Sequence, residues 1–147
     1  MTSHYEILFV EDNLADAQLL LHFFKNKNFP AVFRWINDGA EALDYIFKRE
    51  KYVGSKRPHV ILLDLNLPKV DGREILRQIR VNAETSSIPV IILTTSDHED
   101  DLASCYQQGI SSFITKPNNL DAFEALIQRL MFVEFPKIGI GSVSQGA

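Results

Sequence analysis

The stretch HVILLDLNLPKVDG, residues 59–72, decides how this chain folds. Val60 to Leu63 is continuously apolar, without the alternation of a half-exposed strand. Such a run fits a strand buried on both faces, at the centre of a parallel sheet. It stops abruptly at Asp64, and the following Asn66, Pro68, Asp71 and Gly72 are turn-forming residues. Ile7 to Val10 has the same character and stops at Glu11-Asp12. Working outward from these two runs, strands are expected at Tyr5–Val10, Ala31–Ile36, His59–Leu63, Pro89–Thr94 and Ser111–Thr115.

Longer segments with helical spacing separate the strands. Leu14, Ala17, Leu21 and Phe24 share one helix face, as do Ala42, Leu43, Ile46 and Phe47. Ile75, Leu76 and Ile79 define a third helix, and Leu120, Phe123, Leu126, Ile127 and Leu130 a fifth. The fourth, around Leu102 to Tyr106, has the weakest pattern. Asn13 is placed to cap the first helix, and Asn118 or Asn119 the fifth. Ser96 with Glu99 reads as a capping box for the fourth, and Gly109 as its left-handed stop. A strand-helix unit repeated five times predicts an α/β fold, a five-stranded parallel sheet with helices on both faces. Right-handed crossovers give a doubly wound, flavodoxin-like sheet of strand order 2-1-3-4-5.

The chain has 147 residues, of which 46% are hydrophobic and 23% charged. That length predicts a single domain, expected over residues 4–134, with 135–147 as a short flexible tail and no output domain. A net charge of −4 gives no general electrostatic case for nucleic acid or anionic membrane as a partner. A single cysteine fits a reducing compartment, and the start MTSHYEILFV lacks the features of a signal peptide. A cytoplasmic location is therefore expected. The basic stretch Lys48 to Arg57 reads as a solvated connection. Trp35 is expected to pack against a helix, and Cys105 to be a small core residue.

Ligands of doubly wound sheets bind beyond the carboxyl ends of the strands. Those ends carry Glu11-Asp12, Asp64 followed by Asn66, Thr94-Thr95 and Lys116-Pro117. Singly, each is ordinary turn or cap chemistry; jointly, the fold aims three carboxylates, a hydroxyl and a lysine at one crevice. Close carboxylates repel one another unless a cation intervenes, and a hard divalent cation with oxygen ligands resolves this, Mg²⁺ being usual beside phosphate. Asp12, Asp64 and the backbone carbonyl of Asn66 are candidate ligands, with Glu11 acting directly or through water. A carboxylate can also serve as a nucleophile and form an acyl phosphate, with a cation and Lys116 neutralising the phosphoryl oxygens. The Thr94 hydroxyl can hydrogen-bond one of those oxygens.

The motifs FVEDN at 9–13, LLDLNLPKVDG at 62–72, ILTTS at 92–96 and FITKP at 113–117 resemble those of the receiver domain of two-component response regulators. The likeness covers about residues 4–133 and is closest in flavour to the single-domain regulators paired with bacterial phytochromes. It implies Asp64 as phospho-acceptor, Glu11 and Asp12 as the acidic pair for Mg²⁺, Thr94 as switch hydroxyl, Lys116 as the conserved-type lysine and Phe113 as the aromatic switch. It implies a phospho-acceptor signalling protein with self-catalysed phosphotransfer and autodephosphorylation, not a turnover enzyme. Its partners would be a sensor histidine kinase, a downstream protein or phosphotransfer domain, and its own copy in a homodimer, with no direct DNA binding. The resemblance also implies a frequent cis peptide at Lys116-Pro117. Two departures stand out: Thr95 occupies a position that is usually Ala or Gly, and Asn66 influences attack by water on the acyl phosphate.

Other readings compete. A phosphatase of the haloacid dehalogenase type needs a general acid two residues after its nucleophilic Asp, where this chain has Asn66. A flavin module needs a phosphate loop rich in Ser, Thr and Gly, where this chain has Glu11-Asp12-Asn13. A receiver that works as an interaction module without phosphorylation keeps the fold and loses the chemistry. The intact set Glu11, Asp12, Asp64, Thr94 and Lys116 argues against it.

Overall fold

The computed structural model describes residues 4–141. Five strands, β1 (Tyr5–Val10), β2 (Ala31–Ile36), β3 (Val60–Leu63), β4 (Val90–Thr94) and β5 (Ser112–Thr115), form one parallel sheet of order β2-β1-β3-β4-β5. Between and after them lie α1 (Leu14–Asn26), α2 (Gly39–Ile46), α3 (Gly72–Val81), α4 (Glu99–Gln107) and α5 (Leu120–Arg129). The predicted architecture and strand order are as expected.

Side chains alternate across the sheet and feed two apolar layers. Leu8, Val10, Ile61, Leu63, Val90 and Ile92 meet α2, α3 and α4 through Ile46, Ile75, Leu76, Ile79 and Cys105. Ile7, Phe9, Val60, Leu62, Ile91 and Leu93 meet α1 and α5 through Leu20, Phe24, Phe123 and Ile127. This is why Ile7 to Val10 of β1 and all of β3 are apolar at every position: each has a helix layer on both sides.

Capping fixes where the helices begin. Asn13, Asp38, Asp71 and Asn119 each accept a hydrogen bond from a first-turn backbone N–H of α1, α2, α3 and α5. Gly109 ends the α4 segment with φ +85°, as expected of a left-handed stop. Gly72 answers a different need: a Cβ there would lie 2.2 Å from the carbonyl oxygen of Asp64, so only glycine lets α3 start against that loop.

Three expectations change. The Ser96 capping box does not form. The N-cap of α4 is His98, without a side-chain bond, because Ser96 turns its hydroxyl to Asp101 (2.7 Å) and its N–H to Thr94 Oγ1 (3.3 Å). No cis peptide occurs among the described residues, so Lys116-Pro117 is trans. The packed unit also continues past residue 134. A π-helical turn, Leu130–Glu134, and a final helical turn α6 (Phe135–Lys137) carry the chain on. Phe135 is fully buried against Phe24 and Phe29, and Ile140 is buried too. The wider π turn rotates Phe135 inward while Phe132 and Val133 stay exposed. Of the expected tail, residues 142–147 lie outside the described residues.

Three cations of the basic connection are paired locally. Arg49 pairs with Asp44, Lys51 with Glu41 and Arg57 with Glu84, and Tyr52 is buried edge-on against Tyr45. No described helix is long and apolar enough to cross a membrane.

Candidate functional site

Register brings the strand ends level. Val10 pairs with Leu63, so Glu11 and Asp64 leave the sheet side by side; Thr94 pairs with Thr115, which delivers Lys116 opposite them. The ladder continues for one bond beyond each strand: Asp64 N–H donates to Val10 O, Glu11 N–H to Ile36 O and Lys116 N–H to Thr94 O. The backbone positions of these residues are thus fixed by the sheet and not by flexible loops.

Carboxylate oxygens of Glu11, Asp12 and Asp64 lie within 4.8 Å of one another. Glu11 is completely buried and Asp64 almost so, whereas Asp12 is open to solvent. One cation serves them. Lys116, itself buried, donates from Nζ to Glu11 Oε1 (2.8 Å) and to Asp16 Oδ2 (2.8 Å), and stands 3.5 Å from Asp64 Oδ2. Backbone N–H groups add further support: Asn13 donates to Glu11 Oε2 and Asn66 to Asp64 Oδ1. The balance is unfavourable for the Glu11 anion. Burial pushes the Glu11 carboxyl up to about 7, the nearby Asp64 adds to this, and the Lys116 hydrogen bond and Asn13 N–H only partly offset it. For Lys116 burial works against the charge, but hydrogen bonds to Asp16 and Glu11 prevail and raise its pKa.

Crowded, partly desolvated carboxylates with too little positive charge are the donor set that a hard divalent cation satisfies. All the ligands on offer are oxygens, and Asp12 opens the cluster to solvent, so the residues fit such an ion.

The remaining expected residues lie on or just past β3, β4 and β5. Thr94 is fully buried at the end of β4, and Thr95 next to it is exposed. Asn66 is exposed next to Asp64. Phe113 is half-buried against the layer that holds α4.

Three features of the site were not legible as such in the sequence. Asp16, which has the spacing of a helix-start residue, reaches Lys116 from the first turn of α1. Trp35 donates from Nε1 to Glu11 O (2.8 Å), so the expected packing residue of β2 also buttresses the acidic loop. Arg73 holds Asp101 with two bonds of 2.7 and 2.8 Å, and Asp101 accepts from Ser96, tying α3 to the loop after β4. Only the crossing of α1, β2 and α3 over the sheet's end could reveal these pairs.

The comparisons with known proteins agree with this geometry. The response regulator receiver domain family matches residues 7–128. Response regulator Rcp1 of Synechocystis is 39% identical over 122 residues, which is 83% of each chain. The probable methanogenesis regulatory protein FilR2 of Methanothrix harundinacea is 40% identical over 84% of this chain and 79% of its own. Among solved structures, the phosphorylated cyanobacterial phytochrome response regulator RcpA superposes with a TM-score of 0.88 at 36% identity, covering 95% of this chain and all of that one. The Mn²⁺-bound form of Rcp1 gives 0.85 at 36% identity, covering 94% and 97%. This chain, with its acidic cluster at the carboxyl end of a 2-1-3-4-5 sheet, belongs to the response regulator receiver domain family.

Proposed function

We propose that Asp64 is the phospho-acceptor of this receiver and that a sensor histidine kinase is its phosphodonor, a phytochrome being the favoured type. The observation that carries this reading is the cluster of Glu11, Asp12 and Asp64, buried but for Asp12, with the ammonium of Lys116 beside it. Relatives described as a phosphorylated phytochrome regulator and as Mn²⁺-bound support it.

In this reading an Asp64 carboxylate oxygen attacks phosphorus, an O–P bond forms, and the P–N bond to the donor histidine breaks, leaving its imidazole. Glu11, Asp12, Asp64 and the carbonyl of Asn66 would hold Mg²⁺. The ion would neutralise charge on the transferring group. Lys116 supplies N–H donors to the phosphoryl oxygens from the side of β5. Thr94 turns its hydroxyl toward the new group and gives up the bond it accepts from Ser96 N–H. Phe113 moves into the space Thr94 leaves, and the surface of α4, β5 and α5 changes with it. Water attacking the acyl phosphate restores Asp64, and Thr95, exposed at the edge, narrows its approach. Replacing Thr95 by Ala is therefore expected to speed autodephosphorylation severalfold, measured as loss of radiolabel; an unchanged rate counts against this role.

Output is by binding another protein in the cytoplasm, without contact to DNA. Phe132 and Val133, 63% and 48% exposed side by side, form an apolar face suited to a second copy of the chain. Sedimentation of a monomer at micromolar concentration, with and without beryllofluoride, would remove the dimer from this reading.

Acetyl phosphate with Mg²⁺ tests the central claim. Mass spectrometry should show one added phosphoryl group on the wild type and none on Asp64→Asn. No labelling of either protein would favour an interaction module that works without phosphorylation, and equal labelling of both would move the phospho-acceptor away from Asp64.

A further inference from the structure

Among the described residues Lys116 is the one cation of the site, and its hydrogen bonds decide how ready it is for a phosphoryl group. An ammonium has three N–H donors. Two are engaged at 2.8 Å, by Glu11 Oε1 and Asp16 Oδ2. Asp64 Oδ2, at 3.5 Å, is outside good hydrogen-bond distance. The lysine therefore leans toward α1 and away from the nucleophile.

The three carboxylates around Nζ are not equivalent. Glu11 and Asp64 belong to the cluster whose oxygens converge within 4.8 Å, while Asp16 is no member of it. Asp16 enters from the first turn of α1, with its side chain 24% exposed, and touches the site through Lys116. A negative charge in that place holds the ammonium in competition with an incoming phosphoryl group.

We propose that Asp16 is a positioning residue that restrains Lys116 on the α1 side and so disfavours the phosphorylated state of this receiver. The inference rests on the reading of Asp64 as phospho-acceptor. It makes the first turn of α1 a determinant of how strongly the site takes up phosphoryl groups.

Titration with beryllofluoride in the presence of Mg²⁺ tests it. Binding is followed by fluorine NMR and by the fluorescence of Trp35, the single tryptophan of the chain, whose indole bonds the Glu11 carbonyl. Asp16→Asn should bind beryllofluoride roughly 3- to 10-fold more tightly than wild type, as expected for loss of one competing charge in a half-buried pair. Asp16→Ser removes the same charge with a smaller side chain and should shift affinity in the same direction. Asp16→Glu, which keeps a carboxylate able to reach Nζ, should restore wild-type affinity. In a Lys116→Arg background the effect of Asp16→Asn should shrink, because the planar guanidinium cannot occupy the same three-way position. Unchanged or weaker binding by both Asp16→Asn and Asp16→Ser would overturn the inference while leaving the phospho-acceptor reading intact. A full effect retained in the Lys116→Arg background would overturn it as well, since Asp16 would then act without its lysine. A wild type that gives no response to beryllofluoride would instead overturn the phospho-acceptor reading, and the inference with it.

Discussion

Two glutamates are buried in this molecule, and they are held in opposite ways. Glu134, in the turn after α5, accepts from the Ser112 hydroxyl, from Arg129 Nε (2.8 Å) and from Lys137 Nζ (3.1 Å). Burial alone would raise its pKa, but the Ser112, Arg129 and Lys137 hydrogen bonds prevail and lower it. Glu11, at the end of β1, shares Lys116 with Asp16 and faces Asp64, and burial holds its carboxyl up at about 7. The difference lies in the balance of charge around each. Glu134 has two cations to itself and anchors the last turn to edge strand β5. Glu11 is left short of positive charge, at the place where the fold can take up an ion. Satisfied buried charge is structural; unsatisfied buried charge points to function.

The contrast can be broken by removing each charge in turn. The largest effect is expected on metal response. If Mg²⁺ binds as proposed it should raise the wild-type Tm, and Glu11→Gln should lose most of that rise, yet keep or exceed the wild-type Tm without Mg²⁺, because it removes a desolvated anion. A fall in Tm without Mg²⁺ would mean that Glu11 is structural like Glu134. Next, Glu134→Gln should destabilise the chain by about 2 kcal/mol, the scale of a buried hydroxyl and its charged partner losing their bonds. Arg129 and Lys137 are half-exposed and can rehydrate, so the loss stays below that of a wholly buried pair. The corresponding fall in Tm is roughly 5 °C.

A smaller effect follows from pH. The folded-state pKa of Glu134 lies below its unfolded value, so its stabilisation is complete above the ordinary carboxyl value of 4.5 and is lost as pH falls through the folded-state value. The Tm difference between wild type and Glu134→Gln should therefore be constant near neutrality and close progressively at acid pH. A difference that widens on acidification would reverse the assignment. The smallest effect is expected at Arg73, whose link to Asp101 is 40% exposed on the arginine side. Arg73→Ala should cost only ~0.5–1 kcal/mol, less at high salt. Its use is to sharpen the comparison, since it loosens the loop after β4 while leaving both glutamates in place. Amide exchange in residues 95–101 should rise in this variant without a comparable change in α5.

Much of this was legible in the sequence because it depends on local pattern. The apolar runs ending at Val10 and Leu63 dictate central strands, and strand ends in a doubly wound sheet collect whatever follows them. Glu11, Asp12, Asp64, Thr94 and Lys116 needed only that rule to be brought together. The end of the chain was less legible. Phe132, Val133 and Phe135 are three apolar residues within four positions, and the π turn divides them, burying Phe135 and exposing the other two.

The sequence by itself determined the parallel sheet, its order and the list of groups at its carboxyl edge, since periodicity and residue type carry that information. Only the tertiary structure decided how those groups share charge. Whether Lys116 answers to Glu11, Asp16 or Asp64, and whether a buried glutamate is content or strained, depends on distances of an ångström between elements up to 105 residues apart. Electrostatic energy in a poorly screened interior changes steeply over such distances, and no spacing along the chain records them.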